Sequence, residues 1–195
     1  DTVVMQERAT ATDTGVRIHP GAVNKAGQNR RFAGEDLKAG EVVFHAGQGL
    51  DPAEIGMLAS LGVNEIAVYR RLRVAFFSTG DELVSIGQPL AAGQIYDSNR
   101  YTIGGMLARM GCDALDMGVV ADDPAALERA FATAAANADV VITSGGVSVG
   151  EADYVKQLLD KLGEVVFWKI AMKPGRPLAY GRLGSAHFFG LPGNP

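Results

Sequence analysis

The stretch Val140-Val141-Ile142-Thr143-Ser144-Gly145-Gly146-Val147-Ser148-Val149-Gly150-Glu151-Ala152-Asp153-Tyr154 decides how the rest of the chain is read. Its apolar opening is that of a buried strand, and Val155, Leu158, Leu159 and Leu162 continue from its end at helical spacing over Ala152 to Leu162. The glycines between them remove side chains that would hold a ligand off the backbone, and the following helix offers unpaired N–H groups and the positive end of its dipole. The expectation is an anion cradle. Glu151 and Asp153 set carboxylates beside it, where a phosphate needs a metal ion or basic groups in between. Read without a ligand, the same residues make an ordinary strand-to-helix turn, with both acids complementing the dipole.

Working outward, the pattern from Leu72 onward alternates. Val74 to Phe77 reads as an apolar strand, Thr102 to Met110 as a helix with the stripe Ile103, Met106, Leu107 and Met110, and Ala114 to Val120 as a second strand. Asp123-Pro124 starts an alanine-rich helix reaching about Asn137. The 140–143 strand, the 152–162 helix ending at Gly163, and a strand over Val165 to Ile170 follow. Such alternation predicts an α/β fold, a doubly wound, mostly parallel sheet with helices on both faces, whose ligands bind beyond the carboxyl ends of the strands.

The first third does not alternate. Val3 to Gln6 and Val16 to His19 read as short strands joined by a polar turn through Thr12, Asp13, Thr14 and Gly15, and Glu41 to Phe44 and Glu65 to Tyr69 read as further strands. Asp51-Pro52-Ala53-Glu54 is a helix start with a cap, a proline at the first helical position and an acid that can reach back. Ile55, Leu58 and Ala59 would be its buried stripe. The expected division is residues 1–40 as the β-rich part of an upstream domain, 41–70 as a linker or small α+β region, and 71–195 as the α/β domain.

Composition excludes several classes. The chain has 195 residues, 47% of them hydrophobic, one cysteine (Cys112) and a net charge of −4. A single cysteine allows no intrachain disulfide, and three scattered histidines show no zinc spacing. The negative charge argues against general nucleic-acid affinity, and no apolar run approaches the roughly 20 residues that span a bilayer. A cytosolic protein is expected, binding neither nucleic acid nor membrane. The opening at Asp1 without methionine and the turn-rich Gly-Leu-Pro-Gly-Asn-Pro end suggest a piece of a longer polypeptide.

Each loop at the predicted ligand edge carries residues able to do chemistry: Ser78-Thr79-Gly80-Asp81-Glu82, Asp122-Asp123, Ile95-Tyr96-Asp97-Ser98-Asn99, and Lys169, Lys173 and Arg176 among prolines. The plainer readings are specific. Asp122 or Asp123 caps the helix at Pro124, Asp97 or Ser98 caps the preceding helix, and Asp81 is a turn residue. Phe76, Met106, Met110 and Phe167 belong to the core, and Trp168 to the core or a pocket wall.

Taken together, Ser-Thr-Gly-Asp-Glu-Leu at 78–83, Ile-Tyr-Asp-Ser-Asn at 95–99, the 143–154 glycine loop, Lys-Pro-Gly-Arg-Pro at 173–177 and Gly-Leu-Pro-Gly-Asn-Pro at 190–195 closely resemble the molybdopterin molybdenumtransferases, MoeA-type enzymes related to the E domain of gephyrin. The resemblance extends upstream through Gly34-Glu35-Asp36 and the helix at 52–61. It implies Mg²⁺-dependent insertion of molybdate into adenylylated molybdopterin, with release of AMP. By resemblance, Asp81, Glu82, Asp122 and Asp153 are the metal or molybdate residues, with Asp36 reaching the site of a partner subunit. Thr79, Thr143, Ser144, Gly145, Gly146 and Ser148 would surround phosphate, Lys169, Lys173 and Arg176 would offset its charge, and Pro192 and Pro195 would shape the wall. The implied partners are a second copy in the full-length protein and the adenylyltransferase of the same pathway. Two alternatives stay open: a molybdopterin adenylyltransferase of the same fold, which usually consists of the α/β domain alone, and a non-catalytic scaffold or dimerisation module.

Overall fold

The computed structural model describes residues 2–146, 155, 159, 161, 163–167, 169–172 and 177–193. They fall into two units, Asp1–Ile66 and Ala67–Pro195. In the first, a 3-10 turn (Gln6–Arg8) leads into β1 (Ala9–Thr12), which pairs antiparallel with β2 (Gly15–Ile18). The strand expected at Val3 to Gln6 is therefore displaced to Ala9–Thr12. The cause is register: Asp13-Thr14 closes Thr12 directly against Gly15, and so short a connection pairs the residues that flank it. Glu41 to Phe44 and Glu65 to Tyr69 form no ladder.

The helix α1 (Pro52–Ser60) starts as expected, with Glu54 Oε2 accepting from the Asp51 N–H at 3.0 Å. Its stripe is not buried, however, and Ile55 is 58% exposed. Local capping signals suffice to form a nine-residue helix, whereas burial needs an apolar partner. Among the described residues of this unit only Ala22 is a buried apolar side chain.

The second unit is built on β3 (Arg73–Thr79), buried at every position after the first. Its alternation feeds two cores. Val74 and Phe76 face Leu107 of α2 (Ser98–Arg109), with Ile103, Cys112, Val140 and Ile142 packed around them. Ala75 and Phe77 face the opposite layer, where α3 (Pro124–Asn137) supplies Leu127, Ala130, Phe131 and Ala134. The Phe131 ring meets Phe77 and Phe188 edge-on, at centroid distances of 5.2 and 5.6 Å. Helices thus cover both faces, as predicted. Met106 and Met110, expected in the core, are 58% and 73% exposed, because the buried face of α2 turns through Ile103 and Leu107 instead.

β4 (Leu83–Val84) and β5 (Ile95–Tyr96) make a small parallel pair of their own. The main sheet adds β6 (Asp113–Val120), β7 (Val140–Ser144), β8 (Gly163–Phe167), β9 (Ala179–Leu183) and β10 (Ala186–Leu191). Its spatial order is β6-β3-β7-β10-β9-β8, parallel except for β9. Three local results depart from expectation. The strand expected at Val165 to Ile170 already opens at Gly163, where the expected helix was to end, and is complete at Phe167. The hairpin of β9 and β10, turned at Gly184-Ser185, lies between β7 and β8. Of the 152–162 helix, Val155, Leu159 and Lys161 are described and helical, with Val155 and Leu159 buried on the α3 face.

Candidate functional site

β3 leaves through α2 to β6 on one side, and β6 returns through α3 to β7 on the other, so the direction of winding reverses between β3 and β7. In such sheets a crevice opens at that point, beyond the carboxyl ends of the two strands. Register places Ser78 opposite Ser144, and Leu191 of β10 opposite Ser144 on the far side. Thr79 then ends β3 and Gly145-Gly146 turn away from β7. The glycines have φ of 91° and 69°. A Cβ on Gly145 would stand 2.5 Å from the Thr79 carbonyl oxygen, and one on Gly146 would stand 2.8 Å from Thr79 Oγ1. No other residue type fits this approach. Thr79 is itself buried, and its Oγ1 has no hydrogen-bond partner among the described residues.

The acidic residues lie at the β3 and β6 ends. Asp81 Oδ1 accepts the Asp122 N–H at 3.2 Å, which brings the loops after β3 and β6 together. The Glu82 carboxylate folds back against Gly80, into the space a Cβ would take. A bulge in β6 sets the loop that carries Asp122: two residues, Met117 and Gly118, oppose Phe77 alone, and the Gly118 N–H donates to Asp116 Oδ1 at 2.9 Å. Asp123, not Asp122, caps α3, accepting from the Ala126 N–H at 2.8 Å. The capping role foreseen for this acidic pair therefore belongs to Asp123, while the backbone N–H of Asp122 meets the Asp81 loop.

Behind these loops runs a charge network that is buried at Asp97 and Arg100 and reaches the surface at Asp116. Asp97 caps α2 through the Arg100 N–H, as one plain reading predicts, and also accepts from Ser78 Oγ and Arg100 Nε, both at 3.0 Å. Arg100 continues to Asp116 at 2.8 and 2.6 Å and to Ser85 Oγ at 3.0 Å. The Asp116 hydrogen bonds raise the Arg100 pKa further, so the guanidinium stays charged. This single side chain joins α2, β6 and the loop after β4.

The predicted residues separate accordingly. Thr79, Ser144, Gly145, Gly146, Asp81 and Asp122 converge on the crevice. Thr143 neighbours them in sequence but shares the parity of Val141, on the α3 face, whereas Ser144 faces α2. Pro192 comes close, since the Gly145 N–H donates to the carbonyl of its neighbour Leu191 at 3.1 Å. Lys169 follows β8, which is three strand spacings from β7, or about 14 Å. In the first unit, Asp36 is ion-paired with Arg31 on the surface. Ser148, Asp153, Lys173, Arg176 and Pro195 lie outside the described residues. Sequence reasoning missed Asn99, whose carboxamide bonds Ser144 and Gly193; its only signal was an amide side chain within the 95–99 motif.

The residues present fit Mg²⁺. The ion commonly takes one or two carboxylates and completes its shell with phosphate oxygens and water, and the bond between the Asp122 N–H and Asp81 Oδ1 sets two such acids on adjoining loops at the strand ends that carry the glycine turn. Among the described residues no three His, Cys, Asp or Glu side chains are grouped as an all-protein metal site, and no helix is long and apolar enough to cross a membrane.

Comparison with known proteins gives a consistent result. Residues 75–195 match the family described as "Probable molybdopterin binding domain", and residues 1–62 match the MoeA N-terminal region (domain I and II). The chain is 51% identical over its whole length to a molybdopterin molybdenumtransferase of Haemophilus influenzae and 43% identical to one of Nostoc. It covers 48% and 45% of those proteins, so it spans about half the length of the curated relatives it matches. Among solved structures, a molybdopterin biosynthesis MoeA protein from Pyrococcus horikosii superposes with a TM-score of 0.80 at 32% identity, over all of this chain and 48% of that one.

Proposed function

The chain belongs to the molybdopterin-binding domain family and carries the MoeA N-terminal region, and from that premise we propose that it acts in molybdenum cofactor biosynthesis as part of a molybdopterin molybdenumtransferase. Residues 71–195 form the molybdopterin-binding domain. The substrates are adenylylated molybdopterin and molybdate, and the products are the molybdenum cofactor and AMP. The observation that carries this reading is the carboxyl end of β3 and β7, where a glycine turn packs over a Thr79 hydroxyl that has no partner among the described residues, next to the joined loops of Asp81 and Asp122.

In this reading the Gly145-Gly146 turn lets a phosphate approach the backbone, with Ser144 and Ser148 donating to its oxygens. Asp81 and Asp122 hold Mg²⁺, with Glu82 and Asp153 in reach of the same region. Mg²⁺, when bound, neutralises the pyrophosphate and polarises the bond whose cleavage releases AMP. Lys173 and Arg176 offset the remaining charge of pyrophosphate and molybdate. Lys169, at the far strand, contacts the end of an extended ligand. Pro192 and Pro195 wall the pocket, and Asp36 serves the site of a second copy in a homodimer. The matched N-terminal region favours this activity over the adenylyltransferase of the same fold.

Calorimetric titration of the full chain with adenylylated molybdopterin, with and without Mg²⁺, tests the reading. Binding is expected to tighten with Mg²⁺, to lose that gain in Asp122→Asn, and to weaken about tenfold in Lys173→Ala through loss of a charge-assisted phosphate contact. A folded wild type that binds no adenylylated molybdopterin overturns it.

A further inference from the structure

Asn99 stands in the first turn of α2, where an asparagine ordinarily serves the backbone of its own helix. Here it does not. Its Nδ2 donates to Ser144 Oγ at 3.0 Å and to the Gly193 carbonyl at 2.8 Å, reaching partners 45 and 94 residues away. A carbonyl can only accept, so the Gly193 bond sets which end of the carboxamide is the nitrogen. The Leu191–Gly193 segment is also tied to the turn directly. The Gly145 N–H donates to the Leu191 carbonyl at 3.1 Å, and a Cβ on Gly193 would come within 3.3 Å of Gly145 Cα. Pro192 sits between the two anchored carbonyls.

The anchor itself is rigid. Asp97 is 1% exposed and bonded to Ser78 and Arg100, so the first turn of α2 is fastened to β3 and, through Arg100, to β6. We propose that Asn99 is the positioning residue of this site. It locks the glycine turn and the Pro192 wall into one edge, and it sets Ser144 as a hydrogen-bond donor toward an anionic ligand. The second effect follows from occupancy: with Asn99 donating to its oxygen, the Ser144 hydroxyl keeps its own hydrogen for another acceptor. An aspartate of the same shape would reverse this polarity and add negative charge where phosphate is to bind.

The inference rests on the proposed molybdopterin function, and a two-arm experiment on the full chain separates the two. In the first arm, hydrogen exchange of the Gly145 amide is followed without ligand. Asn99→Ala and Asn99→Asp should each speed it about tenfold, the equivalent of one lost hydrogen bond, with thermal unfolding little changed. In the second arm, adenylylated molybdopterin is titrated. Asn99→Ala should weaken binding about tenfold, and Asn99→Asp, although isosteric, should weaken it more, toward a hundredfold. A purely structural role gives the opposite order, since the truncation removes more contacts than the isostere. Unchanged exchange at Gly145, or Asn99→Asp binding as well as Asn99→Ala, overturns the positioning role. Absence of binding by the wild type overturns the functional reading instead, and the exchange arm still judges the lock.

Discussion

Thr79 ends β3 with a hydroxyl that is buried and has no partner among the described residues, under two glycines that leave it room. An unpaired buried hydroxyl costs roughly 1–3 kcal/mol, so removing it at constant shape should not harm the fold. Thr79→Val is expected to leave stability unchanged or raise it by about 1 kcal/mol in urea denaturation, while weakening ligand binding. A loss of stability would show that the hydroxyl has a partner in solution. Gly145→Ala should behave oppositely, costing about 2 kcal/mol or more, since its φ of 91° and the Thr79 carbonyl 2.5 Å from the new Cβ penalise any side chain. Arg100→Met should cost about 3–5 kcal/mol by leaving the Asp97 carboxylate buried without its cation. At the other end of β3, the Arg70 guanidinium and the Arg73 N–H hold the Asp139 carboxyl well below its ordinary range. A depressed folded pKa contributes stability above the unfolded value near 3.9 that is lost as pH falls through the folded one. Stability should therefore drop below about pH 4, and Arg70→Ala should flatten that drop in acid titrations followed by circular dichroism.

At the scale of elements, the starts of α1 and α3 were legible because a cap, a proline and an acid act within one turn of chain. Which of two adjacent aspartates caps α3 was not legible, because both lie within reach of the helix start. The structure assigns the cap to Asp123. Asp123→Ala is thus expected to cost about 1 kcal/mol of stability with ligand affinity retained, whereas Asp122→Asn should abolish the Mg²⁺ gain in affinity. Thermal unfolding and titration on the same two variants check both halves. The hairpin of β9 and β10 could have been found from its burial alternation and its Gly184-Ser185 turn, but Tyr180, Arg182 and His187 interrupt the apolar signal. The bulge at Met117-Gly118 did leave a trace, a glycine within the strand pattern, and Gly118 takes a φ of 81° there. The bulge shifts β6 by one residue against β3 ahead of the loop in which the Asp122 N–H meets Asp81.

For the whole molecule, the core is unevenly shared. Both buried clusters lie in the second unit, while Val3, Phe32, Ile55 and Val63 of the first are exposed. Residues 67–195 expressed alone are expected to unfold cooperatively in urea, and residues 1–66 alone to show no cooperative transition, because too little apolar area is buried there to offset chain entropy. Sequence by itself determined the α/β class, the order of the main-sheet strands and helices from Val74 to Ser144, the glycine turn and the helix starts at Pro52 and Pro124, because periodicity and capping are written within a few turns of chain. It also carried the family, through motifs that need no folding to be read. Only the tertiary structure decided the spatial order of the strands. That order inserted β10 and β9 between β7 and β8, set the strand that Lys169 follows about 14 Å from β7, and brought Asn99, Ser144 and Gly193 together. Pairings across tens of residues are selected by the packing of the whole sheet, and no local pattern encodes them.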